Sequence, residues 1–292
     1  MMKKLFLLML LLDPLEAWSE CYDENKDDKS NFILCKKEAE QGDANAEFNL
    51  GIMYDNGQGT KQDYKKAMYW YSRSANKNNA DAQFNLALLY AEGHGAEPNY
   101  TEAFKWYLKA AEHGLAEAQL NLGNMYANGQ GIEQSYAEAY KWYLKAEAQG
   151  HAGAQFNLGT MHALGQGVNQ DFEKALSWYA KAAEQGNTSA QFNLGTMYAN
   201  GQGTPKDYTQ AIVWYTKAAQ RGNIDAQFNL ANMYYNGEGV PQDYIRAYMF
   251  YELASTNGDQ PAEKVKNIAA EKLTTEQLTE AKRLAKVWLD GH

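Results

Sequence analysis

The sequence predicts an all-α protein: an α/α superhelical solenoid of 36-residue helix-turn-helix repeats, with an N-terminal half-repeat and C-terminal capping helices. Three recurrences carry this reading. Asn-Leu begins at Asn49, Asn85, Asn121, Asn157, Asn193 and Asn229, a period of 36 that never slips. Gly-x-Gly recurs in the same register from Gly57/Gly59 to Gly237/Gly239, and Trp-Tyr from Trp70-Tyr71 to Trp214-Tyr215, becoming Phe250-Tyr251 in the sixth unit. A fixed period of this length means stacked units that bury a face against their neighbours, instead of one closed core.

The N-terminus comes first. Met1-Met2-Lys3-Lys4 is a basic flank, and Leu5 to Leu12 is an apolar run too short for the roughly 20 residues of a membrane span. Asp13-Pro14 would break a buried helix here. Residues 1–19 are therefore expected to be a signal peptide, with cleavage near Ser19 after the small residues of Ala17-Trp18-Ser19. Glu20 before Cys21 argues against a lipoprotein site. The mature protein is expected in the periplasm or secreted, with no membrane span. In an exported chain the two cysteines, Cys21 and Cys35, read as a disulfide; free thiols would belong to a cytosolic chain. Closing so short a loop is worth about 3 kcal/mol in the chain-entropy picture.

Residues 20–42 form the half-repeat. Lys29 to Gly42 align with a second helix alone, with Leu34 and Cys35 at the Trp-Tyr positions. Six full repeats occupy residues 43–258. In the first helix of the first unit, Ala46, Leu50, Met53 and Gly57 fall at i, i+4, i+7 and i+11, a single face that must be buried, and Gly57 is placed to end the helix in the left-handed conformation. The second helices start after Asp63, Asn99, Ser135, Asp171, Asp207 and Asp243, all strong N-cap residues. They close at Asn78, Gly114, Gly150, Gly186, Gly222 and Gly258, which tolerate positive φ. Ala67 and its equivalents up to Ala247 allow close helix approach, and the tryptophans are expected to fill the next interface. Residues 259–292 read as a cap, where Thr274 or Thr275 starts a last helix carrying Leu278, Ala281, Leu284 and Trp288 at near-helical spacing.

A unit such as AQFNLGTMYANGQGTPKDYTQAIVWYTKAAQRG resembles the Sel-like repeat family, relatives of the tetratricopeptide repeats, of the bacterial exported type. The resemblance covers about residues 36–260. It implies an interaction scaffold whose first helices line a concave groove, with family roles as adaptors, in envelope assembly, in host-cell interaction or as immunity proteins that occlude a toxin. Some exported relatives have been linked to penicillin binding and β-lactam hydrolysis.

Composition narrows the partners. The net charge is −9 and the pI near 5.2, with no basic stripe to displace phosphate counterions, so nucleic acid is not an expected partner. The Gly-x-Gly motifs follow a helix and precede a capped helix, without the Lys-Ser/Thr of a P-loop, and read as turns. His94, His113, His151 and His162 show no ligand spacing, so no metal is expected; His162 replaces a repeated tyrosine and reads as a packing substitution. Ser74-Ala75-Asn76-Lys77 spells S-x-x-K but lacks SDN and KTG companions. No catalytic residue and no cofactor are assigned.

What remains is surface. The amides of Asn85, Asn121, Asn157 and Asn193 form a ladder, one per repeat, able either to bind an extended backbone or to hold the stack together. The invariance of the ladder favours the stack. Asn124, Thr160, Thr196 and Asn232 lie at a position that varies between units. These eight residues are the candidate partner-binding set. Acids such as Asp81, Glu117 and Asp225 point to a partner with a basic element. The expected function is a monomeric adaptor or scaffold that binds a protein or peptide in its groove; the alternatives are a toxin-neutralising immunity protein and a cell-wall-directed hydrolase of β-lactamase type.

Overall fold

A computed structural model describes residues 21–256 and 260–291. The expected signal peptide and the closing Gly258 lie outside the described residues. Among the described residues all regular structure is helical, in an α-solenoid array of consecutive helix pairs. The chain divides into two compact units, one ending at Ala146 and one beginning at Glu147.

The first unit contains α1 (Asp28–Glu40), then the pairs α2 (Ala44–Asn56) with α3 (Tyr64–Ala75) and α4 (Ala80–Glu92) with α5 (Tyr100–Glu112), then α6 (Ala116–Asn128) and α7 (Tyr136–Glu147), whose last residue lies past the division. The second holds α8 (Ala152–Leu164) with α9 (Phe172–Glu184), α10 (Thr188–Asn200) with α11 (Tyr208–Gln220), and α12 (Ile224–Asn236) with α13 (Tyr244–Thr256), followed by α14 (Gln260–Ala270) and α15 (Thr275–Gly291).

The helix ends follow the sequence signals. Asp63, Asn99, Asp171, Asp207 and Asp243 each accept a hydrogen bond from the amide three residues on, and the Ser135 hydroxyl does the same for Glu138. Gly57 ends α2 at φ 73°, its amide donating to the Met53 carbonyl. Asn78, the one non-glycine among the expected second-helix stops, has φ 65°. Between the helices of a pair, the N-cap amide reaches back to the first helix, as in Asp207 N to Tyr198 O at 2.9 Å.

Within each pair the tyrosine of Trp-Tyr is the buried wedge. Tyr71, Tyr143, Tyr179 and Tyr215 are buried, and each faces a glycine of the first helix; a β-carbon on Gly195 would lie 2.8 Å from the Tyr215 ring. A phenylalanine of the first helix tilts onto the same ring, as in Phe192–Tyr215 with centroids 5.8 Å apart. The tryptophans are less uniform, with Trp70 and Trp142 buried. Trp106 reaches back to the core of the first pair, which fits the expected interface role, but Trp106, Trp178 and Trp214 are only half-buried. From Trp106 to Trp214 a lysine one turn on lies over each ring, with Lys145 Nζ 3.6 Å from the Trp142 centroid and Lys217 Nζ 3.8 Å from that of Trp214.

Successive pairs lock through the second glycine of Gly-x-Gly. Gly59 lies on the first turn of α1, Gly95 on that of α3, Gly131 on that of α5, Gly203 on that of α9 and Gly239 on that of α11, where a β-carbon would collide with the backbone or the first side chain of that turn. These turns are therefore docking elements as well as connectors.

At the N-terminal end Cys21 and Cys35 form a disulfide and are fully buried. Asn31, also buried, clamps the strap before α1: its amide donates to the Asp23 carbonyl at 3.0 Å and its oxygen accepts from the Asp23 amide at 3.1 Å. At the other end, residues 264–273, which depart from the repeat pattern, lie mostly within α14. Thr274 is the cap of α15, exchanging hydrogen bonds with Gln277 at 2.9 and 3.3 Å. Trp288 then meets the Phe250 ring edge-on at 5.2 Å.

Gly131 and Gly150 both have positive φ, but only Gly131 touches another helix. Gly150→Ala should cost about 1–2 kcal/mol of backbone strain. Gly131→Ala should cost that plus about 1–3 kcal/mol of overpacking, measured by chemical denaturation; equal losses would show that the docking contact carries no energy.

Candidate interaction surface

On each first helix, residues at i, i+4, i+7 and i+11 share one face. In the first repeat these are Asn45, Asn49, Ile52 and Asn56; in the fourth they are Gly153, Asn157, Thr160 and Leu164. The outer members are open: Asn56, Glu92, Asn128, Asn200 and Asn236 are exposed, and Leu164 is 61% exposed although it is a leucine. The inner members are half-buried or buried, and all eight candidate partner-binding residues fall among them.

Those inner residues meet the tyrosine wedge. Tyr143 donates to Asn124 Oδ1 at 2.8 Å, Tyr215 to Thr196 Oγ1 at 3.0 Å and Tyr251 to Asn232 Oδ1 at 2.6 Å, while the hydroxyls of Tyr179 and Thr160 are 3.1 Å apart. The same phenols interact with the ladder amide of the next repeat: Tyr71 with Asn85, Tyr107 with Asn121, Tyr179 with Asn193 and Tyr215 with Asn229. Burial raises the pKa of Tyr71, Tyr107, Tyr179, Tyr215 and Tyr251, to about 12 for Tyr251, so these phenols stay protonated and able to donate. Asn157 occupies the equivalent half-buried place on α8. The candidate set is thus drawn from a polar seam of amide, phenol and hydroxyl running along each unit.

The first repeat departs from this pattern. Ile52 has no polar group to offer, and Tyr71 donates instead to Asp55 Oδ2 at 3.2 Å. Burial lifts the Asp55 carboxyl above its usual range and Glu92 adds to the lift, opposed by the Tyr71 hydrogen bond and His94. On α1 a sulfur takes the place of the phenol: Cys35 stands in the tyrosine register, and Asn49 Nδ2 lies 3.7 Å from the Cys21 sulfur bonded to it.

The S-x-x-K sequence is part of the scaffold. Ser74 is buried and donates to the Ala44 carbonyl at 2.7 Å. Lys77 binds Glu47 Oε2 and the Gly42 carbonyl, both at 2.7 Å, and Arg73 pairs with Glu47 at 2.8 Å. A hydroxyl and an ammonium committed in this way are not arranged as nucleophile and base.

Sequence reasoning passed over Glu47 and its equivalents. Gln83, Gln119, Gln191 and Gln227 are buried and donate to the carbonyls of Ala75, Ala111, Ala183 and Ala219, tying each first helix to the second helix before it. Their recurrence every 36 residues was the available signal, and the acid at Glu47 was the exception to notice. His162 is buried on α8, as a packing substitution would be; burial lowers its pKa from the ordinary 6.5 and Lys174 adds to the effect, against Asp171.

Tyr215→Phe removes a hydroxyl that meets both Thr196 and Asn229. Because Thr196 still donates to the Phe192 carbonyl at 3.1 Å, the expected loss is about 1–2 kcal/mol by denaturant titration; no loss would mean the seam is not cohesive. For His162, a folded-state pKa below the unfolded value means the neutral form stabilises the fold above about 6.5, and this stabilisation disappears as pH falls through the lowered value. His162→Tyr should flatten the pH dependence of the melting temperature in that window, and an unchanged slope would refute the assignment.

The comparisons with known proteins agree with this architecture. The Sel1 repeat family matches residues 44–79, 80–115, 116–151, 152–187, 188–223 and 224–259. Among solved structures, a Sel1 repeat protein from Oxalobacter formigenes is similar at 33% identity and TM-score 0.71, over 78% of this chain and 91% of that one. A protective antigen of uropathogenic Escherichia coli with an SLR fold is 29% identical, over 90% of this chain and 72% of that one, with TM-score 0.41. Immunity protein PA5088 of Pseudomonas aeruginosa is 20% identical, over 75% and 82%, with TM-score 0.46. No curated protein matches the chain significantly. With six consecutive matches spanning most of its length, in the register set by the Asn-Leu, Gly-x-Gly and Trp-Tyr recurrences, the chain belongs to the Sel1 repeat family.

Proposed function

We propose that the protein is a scaffold of the periplasm or extracellular space that binds a protein or peptide along the exposed edge of its first helices, without turnover. In this reading residues 1–19 direct export and are removed, and residues 20–42 and 259–292 close the ends of the array at 43–258. The Sel1 repeat fold is that of a protein-interaction scaffold. The disulfide fits an oxidising compartment, and no helix among the described residues is long and apolar enough to cross a membrane.

One observation carries the binding reading. The seam is held at a fixed period by internal hydrogen bonds, while the exposed position beside it is filled by Asn56, Asn128, Asn200 and Asn236 in four repeats and by Glu92 and Leu164 in the other two. A rigid frame that presents varying side chains at constant spacing is how repeat proteins build recognition surfaces. Asn85, Asn121, Asn124, Asn157, Thr160, Asn193, Thr196 and Asn232 supply its polar floor. Asp81 and Glu117 add negative charge in the first unit and favour a partner with a basic segment.

The test is capture from a native envelope fraction with the full chain and with a triple variant, Asn128→Ala, Leu164→Ala and Asn200→Ala, which leaves the seam intact. A partner held by wild type and released by the variant is the expected result. Partners retained equally by both would move the binding surface elsewhere.

A further inference from the structure

The cap of the second unit leaves a docking position open. Within each unit, the second glycine of a Gly-x-Gly turn seats on the first turn of the preceding second helix, as Gly95 does on Tyr64, Gly131 on Tyr100, Gly203 on Phe172 and Gly239 on Tyr208. The same position after the sixth repeat is the first turn of α13, at Tyr244 and Ile245. Counting on by 36 from Gly237 and Gly239 reaches Leu273 and Thr275, so no glycine stands where the next turn would dock. The connector is also shorter: residues 237–243 join α12 to α13, but only 271–274 join α14 to α15. A short turn carrying β-carbons cannot lie against the α13 backbone as a glycine does. Between them is a cleft of about 370 Å³. Val240, Pro241, Ile245 and Leu273 give it apolar walls, and Tyr244 and Lys272 lie at its margin.

The geometry points to this cleft as a docking site for a glycine turn of another protein, a Gly-x-Gly type loop with both glycines in the left-handed conformation. The chemistry of the occupant is read from the chain's own five examples of the contact, at Gly59, Gly95, Gly131, Gly203 and Gly239. These five glycines are already seated on their own repeats, so the occupant is a glycine turn presented by a different protein, and a second copy of the chain is an outcome the test separates. Charge adds a second requirement. Arg246 is engaged by Asp243 at 3.6 Å, whereas exposed Lys272 has no ion pair among the described residues, so an acidic side chain beside the glycines completes the fit. The site is separate from the first-helix edge, and either can fail without the other.

The probe is a synthetic peptide copying residues 126–138, which contain Gly129, Gly131 and Glu133, cyclised through its ends to reduce the ordering cost. It is titrated into the isotope-labelled full chain and followed by amide chemical shifts. Saturable shifts centred on Tyr244, Ile245 and Lys272 are expected, with binding at least about tenfold weaker for the Gly131→Ala peptide and for the Lys272→Glu protein. Ile245→Arg, checked for folding by circular dichroism, should abolish the shifts. If Ile245→Arg does not fold, Lys272→Glu, a change at an exposed residue, decides. The proposal is overturned by an absence of shifts, by equal binding of the alanine peptide, by shifts confined to the first-helix edge, or by self-association of the chain that Lys272→Glu dissolves.

Discussion

Each repeat depends on a tyrosine ring being able to enter the space between its two helices. That space exists because the facing position on the first helix carries no side chain, as at Gly51, Gly123, Gly159 and Gly195, or only a methyl group, as at Ala87 and Ala231. The ring brings a hydroxyl into the interior with it, and a buried hydroxyl without partners would give back about 1–3 kcal/mol of what the ring's packing gains. The hydrogen bonds along the seam follow from that requirement. The wedge supplies apolar contact within a pair, and its hydroxyl meets the amide that the next repeat presents.

This makes the ends of the array a chemical problem, and the two ends solve it differently. At the N-terminus there is no tyrosine; Cys35 takes its register, and the disulfide to Cys21 puts sulfur where Asn49 would otherwise meet a phenol oxygen. Glu47 replaces the repeated glutamine and draws Arg73 and Lys77 onto itself in place of a carbonyl contact. After the sixth repeat the connector shortens to residues 271–274, and Trp288 is laid against Phe250.

A frame of this kind separates cohesion from recognition along a single helix face. Asn85, Asn121, Asn193 and Asn229 are engaged by the stack, while residues two turns along the same face, such as Glu92 and Leu164, are exposed. Changing the latter alters the surface without loosening the wedge.

By itself the sequence determined the helix pairs, their limits and their period, because N-cap acids, left-handed glycines and apolar spacing act within a few residues of the chain. The S-x-x-K stretch and the candidate amides were also visible there, but only as residue types. Which of them face a neighbour was decided by the tertiary structure. The carbonyl that Ser74 meets and the tyrosines that meet Asn124 and Thr160 lie about a half-repeat or a full repeat away, so those contacts exist only once the helices have packed. The same holds for the second glycine of each turn. Its need for positive φ is local and legible, but the helix against which it rests comes from the preceding unit.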